Sequence, residues 1–194
     1  MDFFSKSLSY HAKIIHHTVL QEWSFSKRMV FTAFLGTLAC LFQSAGGYLP
    51  GIGYFISPLA TAPIMLAFVL AFRSGCAAYA ITLILLLLIQ PSELIVFPFT
   101  TGLLGASLGV AFIRADRRIS VLLSGGIALF AGILFLLFGI GFPVLGPGVA
   151  SSFNWTVGCI VLAFSILYSW VWTEIGAGLL KRLFRILSPS KSHR

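Results

Sequence analysis

Charge is what this chain has least of. Among 194 residues only 9% are Asp, Glu, Lys or Arg, against about 25% in a soluble domain. So few charges cannot cover a water-facing surface of this size, which excludes a soluble globular fold. Disorder is excluded as well, since its signature is low hydrophobicity, and here 58% of residues are apolar with a mean hydropathy of +1.00. Cysteine is scarce: Cys40, Cys76 and Cys159 are odd in number, form no C-x-x-C pair and fall inside apolar runs, where each reads as buried packing. The motifs of soluble enzymes are missing too. Without G-x-x-x-x-G-K-[ST] there is no common route to splitting ATP. H-E-x-x-H and paired intramembrane acids are absent. None of the four His residues lies within an apolar run, which removes the usual base of an intramembrane serine protease. No ionisable residue stands at mid-membrane, so a proton- or ion-coupled pump is disfavoured. His11, His16 and His17 are spaced five and one apart and make no i, i+4 ligand pair. The chain reads as a non-enzyme without metal or cofactor.

What it has is long apolar runs. Six spans are expected, at about 29–46, 57–72, 75–90, 94–112, 119–141 and 153–173. A membrane helix needs about 20 residues, with a lower limit near 17, so the second and third are short. Thirteen Lys+Arg face five Asp+Glu, a net charge of +8. On a soluble face that excess would point to nucleic acid. Gathered between apolar runs it is a topology signal, and no nucleic-acid partner is expected. With the N-terminus inside, segments 1–28, 73–74, 113–118 and 174–194 hold every basic residue, whereas 47–56, 91–93 and 142–152 hold none and carry only Glu93. Retention of Lys and Arg on the cytoplasmic side sets orientation. The expectation is therefore an all-α six-transmembrane-helix bundle, N-in and C-in. Residues 1–28 form a cytoplasmic amphipathic segment, 29–187 the membrane domain and 188–194 a basic cytoplasmic tail. No cleavable signal peptide is expected, because no small-x-small site follows the first span cleanly.

Within residues 3–25, Phe4, Leu8, Ala12, Ile15, Val19 and Trp23 recur at helical spacing, with Lys6, Lys13, His16 and His17 mostly elsewhere. That pattern predicts an amphipathic helix on the inner leaflet, drawn to anionic membrane lipids. In the first span Ala33/Thr37 and Gly36/Cys40 are small-xxx-small pairs that let another backbone approach, whether internal or from a second protein. That span is expected to break at Gly46-Gly47. Pro50, Gly51 and Gly53 forbid a regular helix in the first outer loop, and Pro58 suits a helix first turn. Ser92 resembles the N-cap of the fourth helix, with Glu93 in its first turn. Gly105 and Gly109 form a GxxxG. The glycine- and proline-rich segment after the fifth span reads as a lid or as an ordinary surface loop.

Polar residues are skewed. Gln43, Ser44, Tyr54, Ser57, Thr61, Gln90, Ser92, Glu93, Thr100, Thr101, Asn154 and Trp155 all map to the outer third of the bundle. An apolar pocket with a few placed polar groups is how small-molecule sites are built. Loops 47–57 and 139–153 would close it. The other reading is interfacial residues wetted by water or headgroups. For a pocket, Gln43, Gln90, Glu93 and Asn154 are the hydrogen-bonding candidates, and Tyr54 and Trp155 the apolar walls.

Taken together, the six spans, the small-residue face of the first helix and the Gly/Pro-rich first outer loop resemble the substrate-binding membrane subunit (S component) of energy-coupling-factor transporters. The likeness covers residues 29–187 as architecture. Segments ISPLATAPIMLAF and QPSELIVFPFTTGLLG also look like uncharacterised Gram-positive bacterial membrane proteins of the same shape. The resemblance implies a bacterial cell-membrane protein that captures a small-molecule solute from outside, while a coupling membrane protein and an ATPase pair drive its release. In that family Ala-x-x-x-Ala faces dock on the coupling subunit. Here Ala33/Thr37 and Gly36/Cys40 stand in those places. The alternative is a non-transporting scaffold, similar to the rod-shape morphogenesis membrane subunit, to which the amphipathic N-terminus and basic tail would suit cytoplasmic partners.

Overall fold

The computed structural model describes residues 3–49, 51–142 and 155–187. Among the described residues seven helices follow one another: α1 (Phe3–Glu22), α2 (Phe25–Tyr48), α3 (Gly53–Leu70), α4 (Phe72–Ile89), α5 (Pro91–Arg114), α6 (Arg118–Ile140) and α7 (Trp155–Leu187). All but α1 are long and apolar enough to cross a membrane, the architecture of a multi-pass membrane protein. The chain therefore has two ends to its bundle. The basic end gathers Arg28, Arg73, Arg114 and Arg118, and the Glu93 end gathers Tyr48, Gly53, Gln90 and Ile140.

Proline shapes the two spans that bear it near their starts. In α3 a 3₁₀ turn, Ser57–Ala60, carries Pro58, and in α5 another, Phe97–Phe99, carries Pro98. Proline lacks the N–H that an α-helix needs and crowds the preceding turn. A 3₁₀ turn rises about 2.0 Å per residue against 1.5 Å for an α-helix, so α3 gains reach from it. α6 finishes in a π-helical stretch, Phe135–Ile140, stopped by Gly141 at φ +74°, a left-handed conformation that glycine adopts without a steric penalty.

α3 is the hub. Of its most apolar stretch 56% is buried, against 22% for α4 and 28% for α7, so those two lie at the periphery. α3 packs on α2, α4 and α5, and α5 hands on to α6 and α6 to α7. Close approach between α3 and α5 requires glycine: a Cβ at Gly105 would stand 2.8 Å from the Thr61 carbonyl oxygen, and one at Gly109 2.6 Å from that of Met65. α1 is not a separate piece. Ala12, Ile15, Val19 and the following Trp23 are buried in the same apolar core as Val69, Leu70 and Leu180.

Several expectations need correction. Gly46-Gly47 does not break α2, which runs through both to Tyr48. Instead Gly46 sits beneath Glu93 and Ser57, and the Gln90 side chain occupies the space a Cβ of Gly47 would take. The second and third spans start earlier than expected and reach 18 residues each, joined by Ala71 alone in extended conformation. Past the span expected to residue 173, the last helix continues unbroken to Leu187. Cys40 is buried, but Cys76 and Cys159 are exposed on the outside of the bundle. Composition cannot tell a lipid-facing from a core-facing cysteine when both surroundings are apolar.

Candidate functional site

At the Glu93 end a polar trio crosses from α2 to α5. Gln43, only 1% exposed, donates from Nε2 to Glu93 Oε2 at 2.7 Å, and its Oε1 accepts from the Thr101 hydroxyl at 2.6 Å. Both ends of one carboxamide are thus engaged, as burial in an apolar bundle demands. Local sequence explains the placement. Pro91 starts the short segment Pro91–Val96, which sets Glu93 in a helical first turn. The 3₁₀ turn at Pro98 then re-aims the chain so that Thr101 opens the main helix of α5. Glu93 is only partly buried, held from inside by Gln43.

Around the trio lie further polar contacts. Ser44 Oγ donates to the Cys40 carbonyl at 2.7 Å and Tyr48 Oη to that of Ile89 at 2.6 Å. Ser92 does not cap its helix. The cap position is Gln90, whose Nε2 donates to Ser92 Oγ at 3.0 Å. A proline at the first helical position has already removed one N–H that a cap would serve. About one helical turn deeper, at the level of Gly105, the hydroxyl of Thr61 is buried without a hydrogen-bond partner.

The structure brings together Gln43 and Glu93, with Gln90 on the same end. Tyr54 and Trp155, read as pocket walls, are 72% and 79% exposed. Asn154 and most of the 139–153 loop lie outside the described residues. Thr101 was legible as one polar residue among many, and only the fold selects it as the partner of Gln43. The small residues of α2 divide between two faces. Gly36 and Cys40 are buried, and a Cβ at Gly36 would stand 2.8 Å from Ala78 O of α4, whose Thr82 hydroxyl donates to Gly36 O at 3.0 Å. Ala33 and Thr37 face outward. Among the described residues no group of three or more His, Cys, Asp or Glu could hold a metal ion.

At the basic end, charges pair across helices. Lys13 of α1 donates to Asp116 at 2.8 Å, in the turn between α5 and α6. That hydrogen bond, and then the Lys13 charge, hold the Asp116 carboxyl below its usual 3.8. Arg118 pairs with Glu174 of α7. His16 Nδ1 lies 3.1 Å from the Val69 carbonyl, and His11 meets Phe184 edge-on at 4.8 Å. Comparison with protein-family models, with curated proteins and with solved structures finds no match for this chain.

Proposed function

We propose that the chain is an integral membrane substrate-binding subunit for uptake of a small solute, energised by separate ATPase and coupling subunits. The observation that carries this reading is the Thr101–Gln43–Glu93 trio. A carboxylate anchored from within, on an end whose connecting segments hold no Lys or Arg, suits a solute that offers a hydrogen-bond donor or a cationic group. Placing all Lys and Arg in the cytoplasm sets both termini inside a bacterial cell membrane. Glu93 then faces outward, and α1 lies at the inner leaflet with Ala12, Ile15 and Val19 turned to the bundle. The architecture resembles S components of energy-coupling-factor transporters, which also leave ATP hydrolysis to other chains.

A second reading, a scaffold for cell-envelope assembly, is favoured by the internal satisfaction of Gln43 and by the exposure of Tyr54. The test is purification of the tagged chain from native membranes in mild detergent. Two ATPases and a coupling membrane protein should accompany it, and heat should release a small molecule that Glu93→Gln preparations lack. Co-purification of cell-envelope assembly proteins, with no released molecule, would overturn the transport reading in favour of the scaffold.

A further inference from the structure

A groove of about 690 Å³ opens on the side of the bundle at its basic end, between α1, α2 and α4. Its two walls begin together: Arg28 lies in the first turn of α2 and Arg73 in the first turn of α4. Below them the lining is mostly apolar, with Met29, Thr32 and Ala33 on one wall and Ala77 and Ile81 on the other. From Arg73 to Ile81 is eight residues, about 12 Å along a helix axis. The groove thus has a cationic mouth at the end of two spans and a greasy floor running toward mid-membrane.

Among the described residues nothing acidic lines it; Glu22, the last residue of α1, stands outside the lining. Asp116 and Glu174, at the same end, are already taken by Lys13 and Arg118, and neither Arg28 nor Arg73 has an ion pair among the described residues. The mouth is more positive still because the Ala71 cap of α4 offers its first-turn N–H groups no side-chain acceptor, leaving the positive end of that helix open. His16, whose Nδ1 lies 3.1 Å from Val69 O, lines the same end of the groove. The rim residues Phe25, Met29 and Phe72 are 70%, 57% and 58% exposed, so the groove opens sideways, where lipid would be, rather than only to water.

We infer that this groove holds an anionic phospholipid of the leaflet at the basic end, its phosphate between Arg28 and Arg73 and an acyl chain along Ala33, Ala77 and Ile81. The charge pattern decides the occupant. An apolar groove alone would take any chain, whereas paired guanidinium groups at headgroup depth select a phosphate with net negative charge. Basic pockets between membrane helices recognise anionic headgroups in this way.

Native mass spectrometry of the full chain, with phosphatidylglycerol or phosphatidylcholine titrated into the micelle, tests the inference. Phosphatidylglycerol should remain bound as a discrete adduct and phosphatidylcholine should not. Arg28→Gln with Arg73→Gln should weaken that adduct roughly 25-fold, equivalent to about 2 kcal/mol at about 1 kcal/mol per basic residue. Lys181→Gln with Arg182→Gln removes the same charge outside the groove and should leave it in place. Ala33→Phe, which fills the floor without touching charge, should also displace the adduct, and it serves if the arginine variant fails to fold. Equal loss in both charge variants would mean diffuse attraction and would overturn the site. So would equal retention of phosphatidylcholine, absence of any adduct, or displacement by soluble glycerol phosphate as effective as by lipid.

Discussion

The two ends of the bundle handle charge in opposite ways. At the Glu93 end a single carboxylate is tied to the interior, through Gln43 to Thr101. At the basic end the pairs Lys13–Asp116 and Arg118–Glu174 stitch neighbouring helices together from the outside. The first arrangement has a buried amide at its centre, so its members depend on one another. The second is more exposed: Lys13 and Asp116 lie in water, and Arg118 and Glu174 each keep about a third of the side chain exposed. Burial rather than charge count decides which end is sensitive to substitution.

The largest effect is expected from Gln43→Leu, which keeps the volume and strips both hydrogen bonds. Intramembrane hydrogen bonds average only about 0.6 kcal/mol, with a maximum near 1.7. Here two bonds go at once and one acceptor is a carboxylate, so a loss of about 1–2 kcal/mol is expected. Denaturant unfolding of the detergent-solubilised chain would read it. A stability equal to wild type would mean the trio is dispensable and the two ends are alike.

Glu174→Gln should do less. The side chains of Arg118 and Glu174 are 33% and 39% exposed, and screening of such pairs leaves about 0.5 kcal/mol. A shift that matches Gln43→Leu in the same unfolding assay would erase the contrast between the ends.

Smallest is the pH response of Asp116. Its carboxyl is held below 3.8 by Lys13, so the folded chain favours the charged form. That stabilisation is present above the unfolded-chain value and fades as pH falls through the lowered one. Hydrogen exchange of α1 amides, corrected for intrinsic rate, should rise between about pH 5 and pH 3 in wild type, and rise less in Asp116→Asn. Identical profiles for both chains would detach Asp116 from the docking of α1.

The spans were legible because each is a nearly uncharged apolar run, and a bilayer admits few structures beyond a helix of that length. Their ends were less so. Gly46-Gly47 reads as a break when seen alone. In the folded chain the pair are the flat places where Glu93, Ser57 and Gln90 lie against α2. The apolar periodicity of residues 12–23 was visible, but the same stripe fits a lipid surface or a protein one. Contact with α7, α5 and α3 is what seats it.

Gln43 and Glu93 are legible from their rarity in an apolar setting, since polar groups there need partners. That Thr101 is one of those partners, 58 residues along from Gln43, follows from no spacing rule. For Tyr54 and Trp155 the sequence leaves two readings, because an aromatic near a span end fits a pocket wall and an interfacial belt equally.

By itself the sequence determined that the chain is helical, that six of its helices have the length and apolarity to cross a membrane, and that Lys and Arg gather at one end. These follow from composition and order, which act locally along the chain. The tertiary structure alone decided which polar groups meet, which face each small residue serves, and that Arg28 and Arg73 open one groove. Such facts depend on helix rotation and neighbour choice. Packing of distant side chains sets both, and no periodicity within a single helix records them.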